Sequence, residues 1–350
     1  MNLNLEPKII GMANSLDLDL ECPVDAVRNY CREKVSKFLR RAGRISNINE
    51  LQKLICKRLD LTVHEIWSDA DLIAISSRYR DEGEIAVFAG ATTQLKPDTF
   101  GVLMQFQRGG RNGRARYVAF IDCRGDKHLR RVFTLWHEIA HCLTAKNQLA
   151  LPLRRTTVGK VDKDPEEKLT DIIAADFAFY EPLFAPILKD ECASAKRLTF
   201  RAVERIRDRF NPDASFASTL NACLAKSDSP MIMIEAGLAF KKAEQKQIDK
   251  GAAVPSDFEP KLRVLISVSS EAARDALPHV PKQMRVPEAS IIARIFASND
   301  EFDTFGSGLV HENLGIWTTS SGDGLPNVDV VVEARKVGDR VLALISARAA

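Results

Sequence analysis

The sequence predicts an α+β protein in which a mainly helical region with a small antiparallel sheet precedes a C-terminal α/β domain. Three observations support this. A chain of 350 residues is longer than one hydrophobic core usually supports, so about two domains are expected. Before Pro230, apolar residues recur mostly at helical spacing, with a few strand-like runs between them. After Pro230, strand-like runs dominate.

The composition is that of an ordinary globular protein, with 45% hydrophobic and 28% charged residues. A formal net charge of +3 excludes a polycation that binds nucleic acid through bulk charge. The N-terminus has no basic segment followed by an apolar core, and no apolar run reaches about 18 residues. Seven cysteines without a CxxC pair are typical of free thiols in a reducing compartment. We therefore expect a cytoplasmic protein that does not interact with membranes.

The first half of the chain predicts two helices and a hairpin. Amphipathic helices are expected at 24–42 and 47–60, where apolar residues lie on one face. Three short runs at 83–88, 100–107 and 116–122 are typical of strands. The last two flank a loop rich in glycine and arginine, which favours a β-hairpin.

The middle of the chain predicts four helices. A long helix is expected at 126–144, and a second at 165–187, where Asp164-Pro165 gives a start signal. Pro182 is expected to kink or end that second helix. Shorter helices are expected at 198–209 and 213–225. This pair could form a DNA-reading helix-turn-helix, but we favour a structural role because the second helix begins with few basic residues.

The C-terminal third predicts a sheet. Residues 231–237 and 261–269 are typical of strands, and 241–260 has the composition of a linker. Residues 327–347 predict a hairpin that turns at Gly338. These changes of pattern give the predicted organisation, which is an N-terminal tail at 1–23, a mainly helical core domain at 24–190, a helix-loop-helix extension at 191–230 and a C-terminal domain at 231–350.

The motif with the clearest chemistry is His137-Glu138-Ile139-Ala140-His141, an HExxH sequence within a helical pattern. Residues four apart lie one turn apart on the same face of a helix, so His137 and His141 can direct two imidazoles at one zinc ion. Glu138 lies beside them and can act as the general base for a water molecule. The apolar residues around the motif favour a metal site over a pair of surface histidines.

A catalytic zinc needs a third protein ligand, and the helix at 165–187 offers four acids. Asp171 is preferred because small residues follow it on the same face and allow a close approach to the histidine helix. These residues are Ala174, Ala175 and Ala178. Glu167, one turn earlier on that face, is the alternative. Glu166 and Asp176 are interpreted as surface residues.

The block YVAFID…RRVFTLWHEIAHCL…DIIAADFAFYEPLFAP, from Tyr117 to Pro186, resembles the ImmA/IrrE family of metallopeptidases. The resemblance implies a zincin-like fold, zinc ligands at His137 and His141, and a catalytic base at Glu138. It also places Asp171 at the position of the family's ligand glutamate. Asp171 is one methylene shorter than that glutamate, and Ala175 replaces the family's asparagine.

The resemblance implies limited proteolysis of a regulatory protein, typically a helix-turn-helix repressor, in stress response or transcription regulation. We expect the substrate to add as a strand beside 116–122, with Arg116, Tyr117 and Val118 as substrate-binding residues. The expected cofactor is Zn²⁺, although Mn²⁺ or another divalent metal can occupy such a site. The sequence does not predict an oligomeric state or a role for residues 231–350.

The alternative function is a non-catalytic regulator that binds DNA or a protein through a degenerate zincin-like core. Two observations support this alternative. Asp171 replaces a glutamate at the ligand position, and a basic loop includes Arg108, Arg111 and Arg114. The near-neutral net charge disfavours direct nucleic-acid binding as the main activity.

Overall fold

The computed structural model is a mixed α+β structure with two compact units. It describes residues 2–106, 116–145, 153–156, 164–195, 197–250, 259–298, 310–318 and 324–347. The first unit comprises Met1–Ile187 and Arg207–Ser215, and the second comprises Leu188–Ile206 and Phe216–Ala350.

The first unit is built mainly from helices whose ends follow from local sequence signals. Asn47 caps one helix by accepting a hydrogen bond from the Glu50 amide, and Ser68 and Asp71 form a reciprocal capping box at the start of the next. Proline occupies the first position of three of these helices, where its missing N–H costs nothing. The helices are α1 (Pro7–Ser15), α2 (Pro23–Leu39), α3 (Ile48–Leu59), α4 (Asp69–Asp81), α5 (Ile85–Gln94), α6 (Arg131–Thr144) and α7 (Pro165–Ala178).

A four-stranded sheet lies within the first unit. Its strands are β1 (Leu61–Ile66), β2 (Thr99–Phe106), β3 (Arg116–Asp122) and β4 (Leu153–Thr156), in the order β1-β3-β2-β4. The predicted hairpin is present, because β2 and β3 pair antiparallel. The expectation of a wholly antiparallel sheet is wrong, because β1 pairs parallel with β3.

Buried side chains join this sheet to the helices around it. Helices α4 and α5 pack against the sheet through a core that contains Tyr79, Val87, Val102 and Phe120. Helix α6 contacts β2 and β3 and packs along α7. This arrangement places α6 between the sheet and α7, which makes it the most enclosed helix of the site described below.

Several segments differ from the sequence expectations. The helix expected at 126–144 begins as a 3-10 helix at Gly125–Arg130, and the expected linker at 241–260 contains a helix at Lys242–Asp249. Residues 83–88 were expected to form a strand, but α5 begins at Ile85, because a short apolar run does not distinguish a strand from a buried helix. The N-terminal tail contains α1, which buries Ile9 and Ala13. The helix expected at 165–187 is two helices, because α7 ends at Ala178 and α8 begins at Glu181, so Pro182 lies in the first turn of α8.

The second unit contains a five-stranded, wholly antiparallel sheet in the order β6-β5-β9-β8-β7. Its strands are β5 (Met231–Ala239), β6 (Lys261–Ser269), β7 (Val310–Asn313), β8 (Asp329–Val337) and β9 (Arg340–Ala347). The predicted hairpin at 327–347 is present, and Gly338 takes a positive φ of 59° in its turn. Ile234, Val332 and Ile345 pack with Trp317 in the core of this unit.

The remaining helices are α8 (Glu181–Ala195), α9 (Phe200–Phe210), α10 (Phe216–Lys226), α11 (Lys242–Asp249), α12 (Ala273–Ala276) and α13 (Ile291–Ala297). Of the three boundaries between the two units, one falls within α8, one within α9 and one directly before α10. Across the described ranges, no helix combines the length and apolarity that crossing a membrane requires.

Candidate metal centre

The HExxH motif lies on α6, which is enclosed from Thr134 to its end. His137 and Glu138 are each 1% exposed and His141 is 8% exposed. The flanking residues Trp136 and Ile139 are also buried, so the motif is surrounded by protein. A buried group of polar side chains is costly unless its members have partners, and α7 supplies partners to both histidines.

Glu167 of α7 meets both histidines of α6. The Nε2 atoms of His137 and His141 lie 3.0 Å apart. Glu167 Oε2 lies 3.1 Å from His137 Nε2, and Glu167 Oε1 lies 3.4 Å from His141 Nε2. Among the residues that the structure describes, these three form the group of histidine, cysteine and acidic side chains whose donor atoms converge as metal ligands do.

The chemistry and spacing of this group fit a divalent metal. Two imidazoles and one carboxylate form a common protein ligand set for zinc in hydrolytic sites. A tetrahedral ion with bonds of about 2.0–2.1 Å separates its donor atoms by about 3.3–3.4 Å. The distances of 3.0, 3.1 and 3.4 Å within the group are close to this value. Small side-chain shifts would therefore let His137, His141 and Glu167 hold one ion.

Asp171, the preferred third ligand in the sequence analysis, lies on the other side of His137. Its Oδ1 atom is 2.9 Å from His137 Nδ1, the ring nitrogen opposite the converging Nε2 atoms. The structure therefore brings the alternative acid, Glu167, to the third ligand position. Glu167 and Asp171 are four residues apart on α7, so one helical turn separates the acid near Nε2 from the acid near Nδ1.

The electrostatics favour an ionised Glu167. Burial alone raises the pKa of this carboxyl group, but its contacts with the His137 and His141 rings oppose that effect. The net result is a pKa well below the usual range of a glutamate. The carboxylate is thus in the charge state that a metal ligand needs.

The neighbouring thiol has the opposite character. Cys142 follows His141 on α6 and is buried, and burial raises the pKa of its thiol well above the usual value. The nearby charge of Glu138 acts in the same direction. A neutral, enclosed thiol is a poor ligand, so Cys142 is a packing residue beside the site.

Strand β2 lies directly against Glu138. A Cβ atom built at Gly101 would lie 2.6 Å from Glu138 Oε1 and 2.8 Å from Thr134 Cγ2. Both distances are too short for any residue with a side chain unless its neighbours move. Gly101 is therefore the residue that lets the sheet approach the carboxylate of the HExxH motif.

The other acids of α7 have different partners. Asp176 Oδ2 lies 2.9 Å from Arg28 Nε and 3.1 Å from Arg32 Nη2, both on α2. Burial raises the pKa of Glu166, and no hydrogen bond from either histidine opposes it. Neither acid belongs to the metal group, as the sequence analysis expected.

The predicted substrate-binding residues of β3 do not lie on a free edge. Tyr117 and Val118 are paired with β1 on one side and with β2 on the other, and Arg116 is paired with β2. Their side chains are also engaged, because Arg116 forms an ion pair with Glu84 and the other two are buried. This corrects the expectation that a substrate adds as a strand at these residues, since strand addition needs an unpaired edge.

The remaining residues of interest differ in how far the sequence indicates their role. The basic loop residues Arg108, Arg111 and Arg114 lie outside the described residues. Gly101 carried no sequence signal, because its role depends on a contact between distant segments. Glu167 and Asp171 did carry one, since their spacing of four residues places both acids on one face of α7.

Comparison with known proteins does not assign this chain to a family. No protein family profile matches the sequence. No curated protein is significantly similar to it. The function is therefore inferred from the chemistry of the site.

Proposed function

We propose that this protein is a metal-dependent peptide hydrolase with His137, His141 and Glu167 as metal ligands and Glu138 as general base. The observation that carries the proposal is the convergence of both Nε2 atoms and the Glu167 carboxylate within 3.0–3.4 Å of one another. An HExxH helix that meets an acid from a second helix is the arrangement of metallopeptidases.

In this proposal, metal binding and proton transfer are carried out by different residues. His137, His141 and Glu167 would hold the ion, and zinc in such a site would polarise a carbonyl and make a bound water more acidic. Glu138 is one residue from a ligand and is enclosed by protein, so its carboxylate can take a proton from water and deliver it to the leaving amine. Gly101 leaves to the Glu138 carboxylate the space that a side chain at this position of β2 would fill.

The finer proposal is limited proteolysis of a regulatory protein inside the cell, with a helix-turn-helix repressor as the substrate class. It rests on the resemblance of the Tyr117–Pro186 block to the ImmA/IrrE family and on the pairing of an HExxH helix with an acidic helix. We further propose that residues 24–190 form a zincin-like catalytic core and that 231–350 serve as a sensor or partner-binding domain.

The decisive variant is Glu138→Gln, which keeps the shape of the side chain but removes the base. We expect zinc content equal to that of the wild type and peptide cleavage reduced by about 100-fold or more. The zinc content is measured by mass spectrometry, and cleavage is measured on a proteome-derived peptide library incubated with the zinc-loaded protein. A His141→Ala variant serves as the control that loses both zinc and cleavage.

The outcomes separate the two functions. Undiminished cleavage by Glu138→Gln would remove Glu138 from the mechanism. A wild-type protein that binds zinc without cleaving any peptide would favour the non-catalytic regulator. The proximity of Glu167 to both histidines supports the catalytic proposal over that alternative, which was based in part on the short side chain of Asp171.

A further inference from the structure

We propose that Asp171 is a positioning residue that fixes His137 in the tautomer that can bind a metal. The proposal rests on the metal site proposed above. It assigns the hydrogen on His137 to Nδ1, where Asp171 accepts it, and leaves the lone pair of Nε2 facing Glu167 and His141. Asp171 would thus act on metal binding through His137 and would not touch the ion.

The hydrogen bond itself specifies the tautomer. A neutral imidazole carries one N–H and one lone pair, and an ionised carboxylate can only accept. The Asp171 Oδ1 to His137 Nδ1 distance of 2.9 Å is that of a normal hydrogen bond, so the ring must donate from Nδ1. His137 is 1% exposed, so bulk water competes little for this nitrogen.

The second ring nitrogen shows why the tautomer matters. His137 Nε2 lies 3.0 Å from His141 Nε2 and 3.1 Å from Glu167 Oε2. If His137 carried its hydrogen on Nε2, that hydrogen would occupy the space between the three donors. Such a ring could form a stable hydrogen bond to Glu167 and would exclude the metal. Asp171 opposes this state because its hydrogen bond stabilises the tautomer with the hydrogen on Nδ1.

One helix delivers both acids to the same ring. Glu167 and Asp171 are one turn apart on α7, and they contact His137 on its Nε2 and Nδ1 sides. The position of α7 is held by ion pairs from Asp176 to Arg28 and Arg32 on α2. A ligand and its supporting acid are therefore placed by a single rigid element.

The geometry separates this role from that of a ligand. The two nitrogens of an imidazole direct their hydrogen or lone pair to different sides of the ring. An ion held by the Nε2 atoms of both histidines lies on the side away from Asp171. Asp171 would need a different side-chain direction, or a different ring orientation of His137, to become a ligand.

The first test reads the tautomer without any metal. Long-range ¹H–¹⁵N spectra of the metal-free protein are recorded over a pH series, and the tautomer is read at a pH where the ¹⁵N shifts themselves show a neutral His137 ring. We expect His137 to show a protonated Nδ1 in the wild type and in Asp171→Asn, whose amide oxygen still accepts. In Asp171→Ala we expect the Nε2–H form to become populated. A wild-type His137 with its hydrogen on Nε2, or no change in Asp171→Ala, would overturn the proposal.

The second test measures zinc affinity by competition with a chelator. We expect Asp171→Ala to weaken the Kd by about 10–100-fold, and Asp171→Asn by less. The matched control is Asp176→Asn, which removes a carboxylate from the same helix and loosens α7 without contacting either histidine; its Kd should stay within about 3-fold of wild type.

The results distinguish this proposal from the proposed function. A loss of zinc in Asp171→Ala as complete as that in Glu167→Ala would make Asp171 a ligand and refute the positioning role. Equal weakening in Asp171→Ala and Asp176→Asn would show a general effect of α7 and would also refute it. If the wild type binds no zinc, the proposed function fails, whereas the tautomer in the metal-free protein still decides the role of Asp171.

Discussion

At the scale of single residues, Gly101 is required by space and not by backbone conformation. It lies within β2, its φ is not in the left-handed region, and the site for its missing Cβ is filled by Glu138 and Thr134. Any larger residue must push α6 from the sheet or turn the Glu138 carboxylate. Gly101 thus couples the packing of the sheet to the proposed base.

We predict that Gly101→Ala lowers the free energy of unfolding by about 1–3 kcal/mol, because the added methyl overpacks a closed contact. It should reduce cleavage by displacing Glu138 while the zinc content stays unchanged, because Gly101 is not a ligand. Urea denaturation and metal analysis check both parts.

The control for this variant is Gly11→Ala in α1, where a Cβ meets nothing within 4 Å. It should be neutral or stabilising by up to about 1 kcal/mol, because alanine favours a helix more than glycine does. Equal effects of the two substitutions would contradict the steric role of Gly101.

The sequence predicts His137, Glu138 and His141 as residues of the site, and it favours Asp171 over Glu167 as the third metal ligand. His137, Glu138 and His141 follow from the helical period alone, since residues four apart share a face. The choice between Glu167 and Asp171 depends on how far α7 slides along α6, a shift of one turn. The sequence of α7 does not specify its position along α6. Only the structure shows that Glu167 lies at Nε2 of His137 and Asp171 at Nδ1.

At the scale of secondary-structure elements, the contact between α6 and α7 sets the geometry of the site. Ala174 and Ala178 are buried on α7, whereas Ala175 is exposed. Small residues on the packed face permit a close approach of the two helices. The small-residue face inferred from the sequence is therefore narrower than expected, because Ala175 does not belong to it.

We predict that Ala174→Leu lowers the free energy of unfolding by about 1–3 kcal/mol and weakens zinc binding, because extra volume would move α7 and its acids. Ala175→Leu makes the same chemical change on the exposed side of α7 and should alter stability by no more than about 0.5 kcal/mol. Thermal melts with and without zinc measure both effects. A severe loss in Ala175→Leu with no loss in Ala174→Leu would reverse the assigned faces.

Elements with a strong local pattern were predictable, and those that depend on distant partners were not. The hairpin of β8 and β9 follows from two alternating runs around Gly338. Strand β1 pairs in parallel with β3, more than 50 residues later in the chain, and no local signal specifies that partner. The segment that forms α5 is predicted as a strand. This prediction is wrong because tertiary packing decides the structure of short apolar runs.

At the scale of the whole molecule, the site lies within the first unit. Glu138, both histidines, Glu167 and Asp171 all fall within Met1–Ile187. The division of the chain differs from the predicted domain boundary at 231, because residues 188–206 and 216–230 group with the C-terminal sheet. A composition change at Pro230 marks the start of strands but does not report which helices pack with them.

The central claim is that His137, His141 and Glu167 hold one metal ion, and the zinc content of four proteins tests it most directly. The wild type, His141→Ala, Glu167→Ala and Asp171→Ala are dialysed to equilibrium against saturating zinc and analysed by mass spectrometry. We predict about one zinc per chain in the wild type and in Asp171→Ala, and a small fraction of that in His141→Ala and Glu167→Ala. Full zinc occupancy in Glu167→Ala together with an empty site in Asp171→Ala would contradict the account.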